Sequence, residues 1–135
     1  MIDLTPEVLA WVERAMSPTM VCVGEFSAIL PVSVSLQPAP TQPCIRKYLS
    51  GGGVYQYGYE LYLKCRPEDE TGRIKAIHDL AKVAQLVDAQ DFPEAPEGVV
   101  YISQEVAARP NKLSADKDGT EIYQMIATIT YIERT

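Results

Sequence analysis

The stretch Tyr55-Gln56-Tyr57-Gly58-Tyr59-Glu60-Leu61-Tyr62-Leu63-Lys64-Cys65-Arg66 decides the fold. Its odd positions read Tyr, Tyr, Tyr, Leu, Leu, Cys, and its even positions Gln, Gly, Glu, Tyr, Lys, Arg. A period of two with one apolar side predicts a long strand covered on one face. Pro67 ends it, because proline has no N–H to give to a sheet ladder. Past the acidic turn Glu68-Asp69-Glu70-Thr71, the residues Ile74, Ile77, Leu80, Ala81, Ala84 and Val87 recur at helical spacing. Acidic side chains at the start of that helix suit the positive end of its dipole. A strand followed directly by an amphipathic helix predicts a two-layer core, and the remaining strands must add to the same sheet.

Working outward, Thr5-Pro6-Glu7-Val8 reads as a helix start, with Thr5 as cap and Pro6 in the first turn. Val8, Leu9, Trp11, Val12 and Ala15 supply its apolar stripe, Glu7, Glu13 and Arg14 face water, and the helix stops before Ser17-Pro18. Met20 to Val23 and Ala28 to Leu36 are predicted strands with a turn at Gly24-Glu25, and Pro31 marks the second as an edge or bulged strand. Gln37 to Gly53, with three prolines, Arg46-Lys47 and Gly51-Gly52-Gly53, is expected to be a long irregular loop. Asp91 to Gly98 is a turn-rich connector, and Val99 to Val106 a short strand with Val100, Ile102 and Val106 on one side. Arg109 to Gly119 reads as a polar arm with a hairpin turn at Asp118-Gly119. Glu121 to Glu133 is the last strand, with Tyr123, Met125, Ala127, Ile129 and Tyr131 in one row. Strands that are not regularly interleaved with helices predict an α+β class. The expected architecture is a mostly antiparallel sheet of four to five strands packed by two helices, with long irregular loop arms.

At 135 residues the chain suits one domain spanning 1–135, large enough to bury about two thirds of its unfolded surface. A net charge of −6 argues against a protein that grips nucleic acid through its phosphates. Cys22, Cys44 and Cys65 form no CxxC and do not suit a zinc site. Their odd number, without a signal peptide, suggests a reducing compartment. No apolar run approaches the length of a membrane span.

Catalytic patterns fail one by one. His78 is the single histidine and has no nucleophile motif to serve. Asp116-Lys117-Asp118-Gly119 opens like a calcium loop but lacks the later ligands, so a solvated turn is expected. Gly51-Gly52-Gly53 is not followed by Lys-Ser/Thr or by a helix, so it is no phosphate cradle and reads as a flexible hinge. Glu68-Asp69-Glu70 is expected to cap a helix rather than to move protons. The tyrosine row 55, 57, 59 lacks the basic companions of a sheet-type RNA reader and is expected to pack in the core or against another subunit. Neither a cofactor nor a metal is expected.

The order of elements resembles the minor capsid or tail-terminator proteins of long-tailed bacteriophages and prophages, of the Gram-positive type. The residues that carry the likeness are Ile45-Arg46-Lys47-Tyr48-Leu49-Ser50-Gly51-Gly52 entering Tyr55 to Arg66, and the helix through Val87. It continues through Val99-Val100-Tyr101-Ile102, Pro110, Asp118-Gly119-Thr120-Glu121-Ile122-Tyr123 and the final strand. The resemblance implies a non-enzymatic subunit of the virion tail or neck, made in the host bacterial cytoplasm. It implies self-association into a ring, expected to be a hexamer, that ends the tail tube and meets the head. The implied partners are the tail tube protein and a head-completion or connector protein, with DNA passing through unbound and no membrane involved. Head-to-tail contacts of a ring need unlike faces of one subunit. The candidates are Arg46, Lys47, Tyr48, Gly51, Gly52 and Gly53 in the first long segment, and Arg109, Asn111, Lys112, Asp116 and Asp118 in the second. A connector protein of the neck, or a small ligand-binding domain with the Pro-rich loop as lid, are the alternatives.

Overall fold

The structure, a computed structural model, describes residues 2–27, 32–39, 44–49 and 51–134. The elements run α1 (Thr5–Met16), β1 (Val21–Val23), β2 (Ser33–Pro38), β3 (Cys44–Lys47), β4 (Gly53–Cys65), α2 (Glu70–Asp88), β5 (Val99–Ala115) and β6 (Glu121–Glu133). The class is α+β, with six strands among the described residues rather than four to five. They lie in the order β1-β2-β4-β6-β5, and β3 pairs with β4. All pairs are antiparallel except β1 with β2.

β4 is the middle of this sheet for the reason its alternation suggested. Tyr55, Tyr57, Tyr59, Leu61, Leu63 and Cys65 are all buried. β6 pairs with β4 along its whole length, from Gly53 opposite Glu133 to Cys65 opposite Glu121. Its own row Tyr123, Met125, Ala127, Ile129 and Tyr131 is buried beside the first. Tyr55 and Tyr131 are direct partners, and their rings stack with centroids 5.8 Å apart. Val8, Trp11, Val12 and Met16 of α1 and Ala76, Leu80, Val83, Ala84 and Val87 of α2 pack on this face.

α2 starts where Asp69 accepts a hydrogen bond from the Gly72 N–H at 3.1 Å, so the acidic turn is a cap. Its buried stripe is rotated from the expected one. Ile74 and Ile77 are exposed, while Ala76, Asp79 and Val83 turn inward. Asp79 is tolerated there because Lys75 Nζ at 2.8 Å and Lys82 Nζ at 3.5 Å hold its carboxylate. α1 lacks the expected Thr5 cap. Leu4 is the N-cap residue, and the Thr5 hydroxyl instead bonds Asp3 and the Tyr57 hydroxyl, each at 2.7 Å. α1 does end before Ser17-Pro18, with Ser17 extended at ψ 136° as a residue before proline prefers.

Three strand expectations are corrected. β1 and β2 are parallel, so the Gly24-Glu25 turn begins a crossing rather than a hairpin. β2 starts at Ser33 and is internal, between β1 and β4; Pro31 and the rest of 28–31 lie outside the described residues. The crossing puts Phe26 over the outer face, where Lys64 Nζ sits 5.1 Å from its ring, and Ser33 accepts the Ser27 N–H. That cover buries Ser33 and Ser35 although they point away from the helices.

β5 runs on to Ala115 instead of ending at Val106. Pro110 did not stop it, because β5 is an edge strand and Pro110 falls in a register jump between Ala108 and Asn111. Another jump, between Tyr101 and Ser103, flips the side-chain phase. Val99 and Gln104 are therefore buried, and Val100 and Ile102 are exposed on the outer face. These bulges also blunt a long free edge against pairing with another chain.

Candidate functional site

The segment expected to be a loop from Gln37 to Gly53 contains β3 and the ends of its neighbours. Gln37 and Pro38 finish β2, Cys44–Lys47 pairs with β4, and Gly53 opens β4. Residues 40–43 and 50 lie outside the described residues. β3 and β4 form a hairpin closed by Tyr48 N–H to Gly52 O at 3.2 Å and Gly51 N–H to Tyr48 O at 3.2 Å.

The glycines there are a tight turn, not a hinge. Gly51 and Gly52 have φ of +92° and +73°, where a side chain is strained. A Cβ on Gly52 would run into the Glu133 carbonyl, and one on Gly53 into the Arg46 carbonyl. Backbone packing on both sides is what demands glycine.

The hairpin displays an apolar tip with a basic pair. Leu49 is fully exposed, and Ile45 and Tyr48 are 49% and 41% exposed. Arg46 and Lys47 are exposed and form no ion pair among the described residues. Arg46 stands in register with Val54, Ile132 and Val100, so an apolar row of the outer sheet face leads from the hairpin across to β5. Ile45 and Leu49, part of the run that carries the resemblance, were not among the candidate contact residues. Their signal was present, two large apolar residues flanking a basic pair inside a polar, proline-rich stretch.

The second candidate group behaves differently. Arg109 makes a two-pronged bridge to Asp88, at 2.6 and 3.0 Å, which holds the Asp88 carboxylate below its ordinary pKa. Asn111 donates to the Arg109 carbonyl at 2.7 Å and accepts from Gln124 at 3.3 Å. Lys112 Nζ lies 3.6 Å from Glu121. The Asp116 backbone N–H closes the β5–β6 turn by donating to the Thr120 carbonyl at 2.7 Å, and the Asp118 carboxylate accepts the Thr120 N–H at 3.0 Å. Gly119 sits at φ +93°, as the expected Asp118-Gly119 turn requires. The arm is thus a strand and a turn in which the side chains of Arg109, Asn111, Lys112 and Asp118 are engaged within the chain. The two groups do not converge on one patch.

Glu121 is the most enclosed carboxylate of the described sheet. The Tyr123 hydroxyl donates to it at 2.7 Å and Arg73 Nε at 3.1 Å, and together with Lys112 they depress its pKa. Its ring of partners makes it an anchor for the end of β6. His78 is exposed on α2. Among the described residues, no three His, Cys, Asp or Glu side chains gather as metal ligands, and no helix is long and apolar enough to cross a membrane.

A further surface lies between α1 and the connector before β5. Pro6, Glu7, Ala10 and Arg14 face Glu94, Ala95 and Pro96 across a groove of about 340 Å³. The connector is fastened by Tyr101, whose hydroxyl donates to the Glu94 carbonyl at 3.2 Å and whose ring stacks on Phe92 at 5.1 Å. Burial, and next the negative charge of Glu7, push the Tyr101 hydroxyl pKa up to about 12. Glu7 Oε2 is buried without a hydrogen-bond partner among the described residues. From sequence, Glu7 and Arg14 read only as solvent-facing, because the connector that walls them in comes from a distant part of the chain.

Comparison of the sequence with protein-family models and with curated proteins found no match in either case.

Proposed function

We propose that the chain is a structural subunit of a long-tailed phage, which ends the tail tube as a hexameric ring and offers the surface that meets the head. The observation that carries this reading is the β3–β4 hairpin, with Leu49 fully exposed at its tip and Arg46 and Lys47 in no ion pair among the described residues. An apolar tip beside a glycine turn is suited to a partner surface. The resemblance in the order of elements points to the same role. Catalysis has no part in it: the subunit acts by contact, with the tail tube protein on one side and a connector protein on the other. At −6 per copy, a ring repels passing DNA rather than holding it. Its place is the neck of the virion, after synthesis in the host cytoplasm.

The test is negative-stain microscopy of particles made from a genome with an early stop codon in this gene. Overlong, headless tails are the expected result. Tails of normal length beside filled heads would move the protein to the connector. Intact infectious particles would refute both roles.

A further inference from the structure

The hairpin and the groove are complementary in chemistry. At their shared end of the sheet the strands run β3-β4-β6-β5, with Arg46, Val54, Ile132 and Val100 in one register row. The hairpin forms the β3 flank. The connector wall of the groove leads into β5 and is tied to it through Tyr101, while its other wall, α1, packs on β1 and β2. Three strand spacings, about 14 Å, separate β3 from β5. One patch offers an apolar tip with two cations, Arg46 and Lys47, that form no ion pair among the described residues. The other offers an apolar floor of Pro6, Ala10 and Pro96 with Glu94 and Glu7, whose Oε2 has no hydrogen-bond partner among the described residues. Arg14 also lines the groove, but it lies two helical turns from Glu7, about 10 Å along α1, so the Glu7 end is the acidic one.

We infer that the β3–β4 hairpin of one copy docks in the α1–connector groove of the next. Leu49 and Tyr48 cover the prolines and Ala10, and Arg46 or Lys47 meets Glu7 and Glu94. Two unlike patches make a heterologous contact, which repeats from copy to copy and closes as a ring when the rotation allows. The inference rests on the ring reading above and gives that ring its interface, using only residues of this chain.

The test uses the full chain and three disabling variants. Leu49→Asp spoils the hairpin and leaves the groove intact; Glu7→Lys spoils the groove and leaves the hairpin intact. Ala10→Arg, at an exposed position, blocks the groove without touching Glu7. Sedimentation up to about 1 mM protein reads contacts at the weak end of the affinity scale. Wild type is expected to associate, and each variant alone to associate at least about tenfold more weakly. An equimolar mixture of Leu49→Asp with either groove variant is expected to form a dimer and nothing larger, since one intact hairpin then meets one intact groove. A wild type that stays monomeric, variants that associate as wild type does, or a mixture that stays monomeric would each overturn the contact. Such a result leaves the tail-length phenotype untouched, so the terminator reading stands or falls separately.

Discussion

Gly24 and Gly52 share a φ of +73° and differ in what an added Cβ would meet, so alanine at each separates backbone strain from steric collision. At Gly24 an added Cβ meets nothing within 4 Å. The cost is the left-handed conformation, about 1–2 kcal/mol, less roughly 0.4–1 kcal/mol for the stiffer unfolded chain. A loss of about 1 kcal/mol follows. At Gly52 the same strain is joined by a collision with the Glu133 carbonyl, whose carbon would lie 3.4 Å from the new Cβ and the Arg134 Cα at 3.5 Å. These are backbone atoms at the end of β6, paired to β4 on one side and β5 on the other, and no rotamer change relieves them. Overpacking of this kind costs about 1–3 kcal/mol more. Gly52→Ala should therefore lose about 2–4 kcal/mol in urea unfolding, and about 3–5 °C of Tm per kcal/mol at this chain length. Equal losses for the two variants would refute the tight-turn account and return Gly51-Gly52-Gly53 to the role of a hinge.

Four further outcomes are expected. Tyr59→Phe should stabilise the fold by about 1 kcal/mol, since its fully buried hydroxyl has no partner among the described residues, and a lowered urea midpoint would contradict this. Glu121 titrates below its ordinary range through the Tyr123 hydroxyl first and then Arg73 and Lys112, so its contribution is present above the unfolded carboxylate pKa of about 4.3 and is lost as pH falls through the lower folded value. Glu121→Gln should flatten the acid limb of stability against pH, measured by urea midpoints between about pH 5 and 2. Burial pushes the hydroxyls of Tyr101 and Tyr131 up to about 12, so their contribution is intact below the unfolded pKa of about 10 and declines as pH rises toward 12; circular dichroism should show that alkaline loss reduced in Tyr131→Phe. In phage particles, Leu49→Asp should lengthen tails, while Arg109→Ala with Lys112→Ala should leave tail length unchanged, because those cations are engaged within the subunit.

The long periodic elements were legible because each answers to one local rule. Tyr55 to Cys65 and Tyr123 to Tyr131 alternate, and a strand buried on one face must alternate. The Asp118-Gly119 turn and the Asp69 cap follow equally local chemistry. Wherever a second strand sets the outcome, local reading failed. The phase of β5 depends on a bulge against β6, and no pattern within Val99 to Val106 announces it. β3 is too short to carry a period and exists through its pairing with β4.

The candidate surface divides in the same way. The sequence by itself pointed to Arg46, Lys47, Tyr48 and the three glycines, because a basic pair and a glycine run are local facts. It could not show that Arg109, Asn111 and Lys112 are occupied, since their partners Asp88, Gln124 and Glu121 arrive from other elements. Nor could it show that Glu7 is walled in by residues 94–96. Composition and periodicity determine which side chains seek the core and where the chain must turn. Which polar side chains remain free depends on contacts between residues far apart in sequence, and only the tertiary structure decides those.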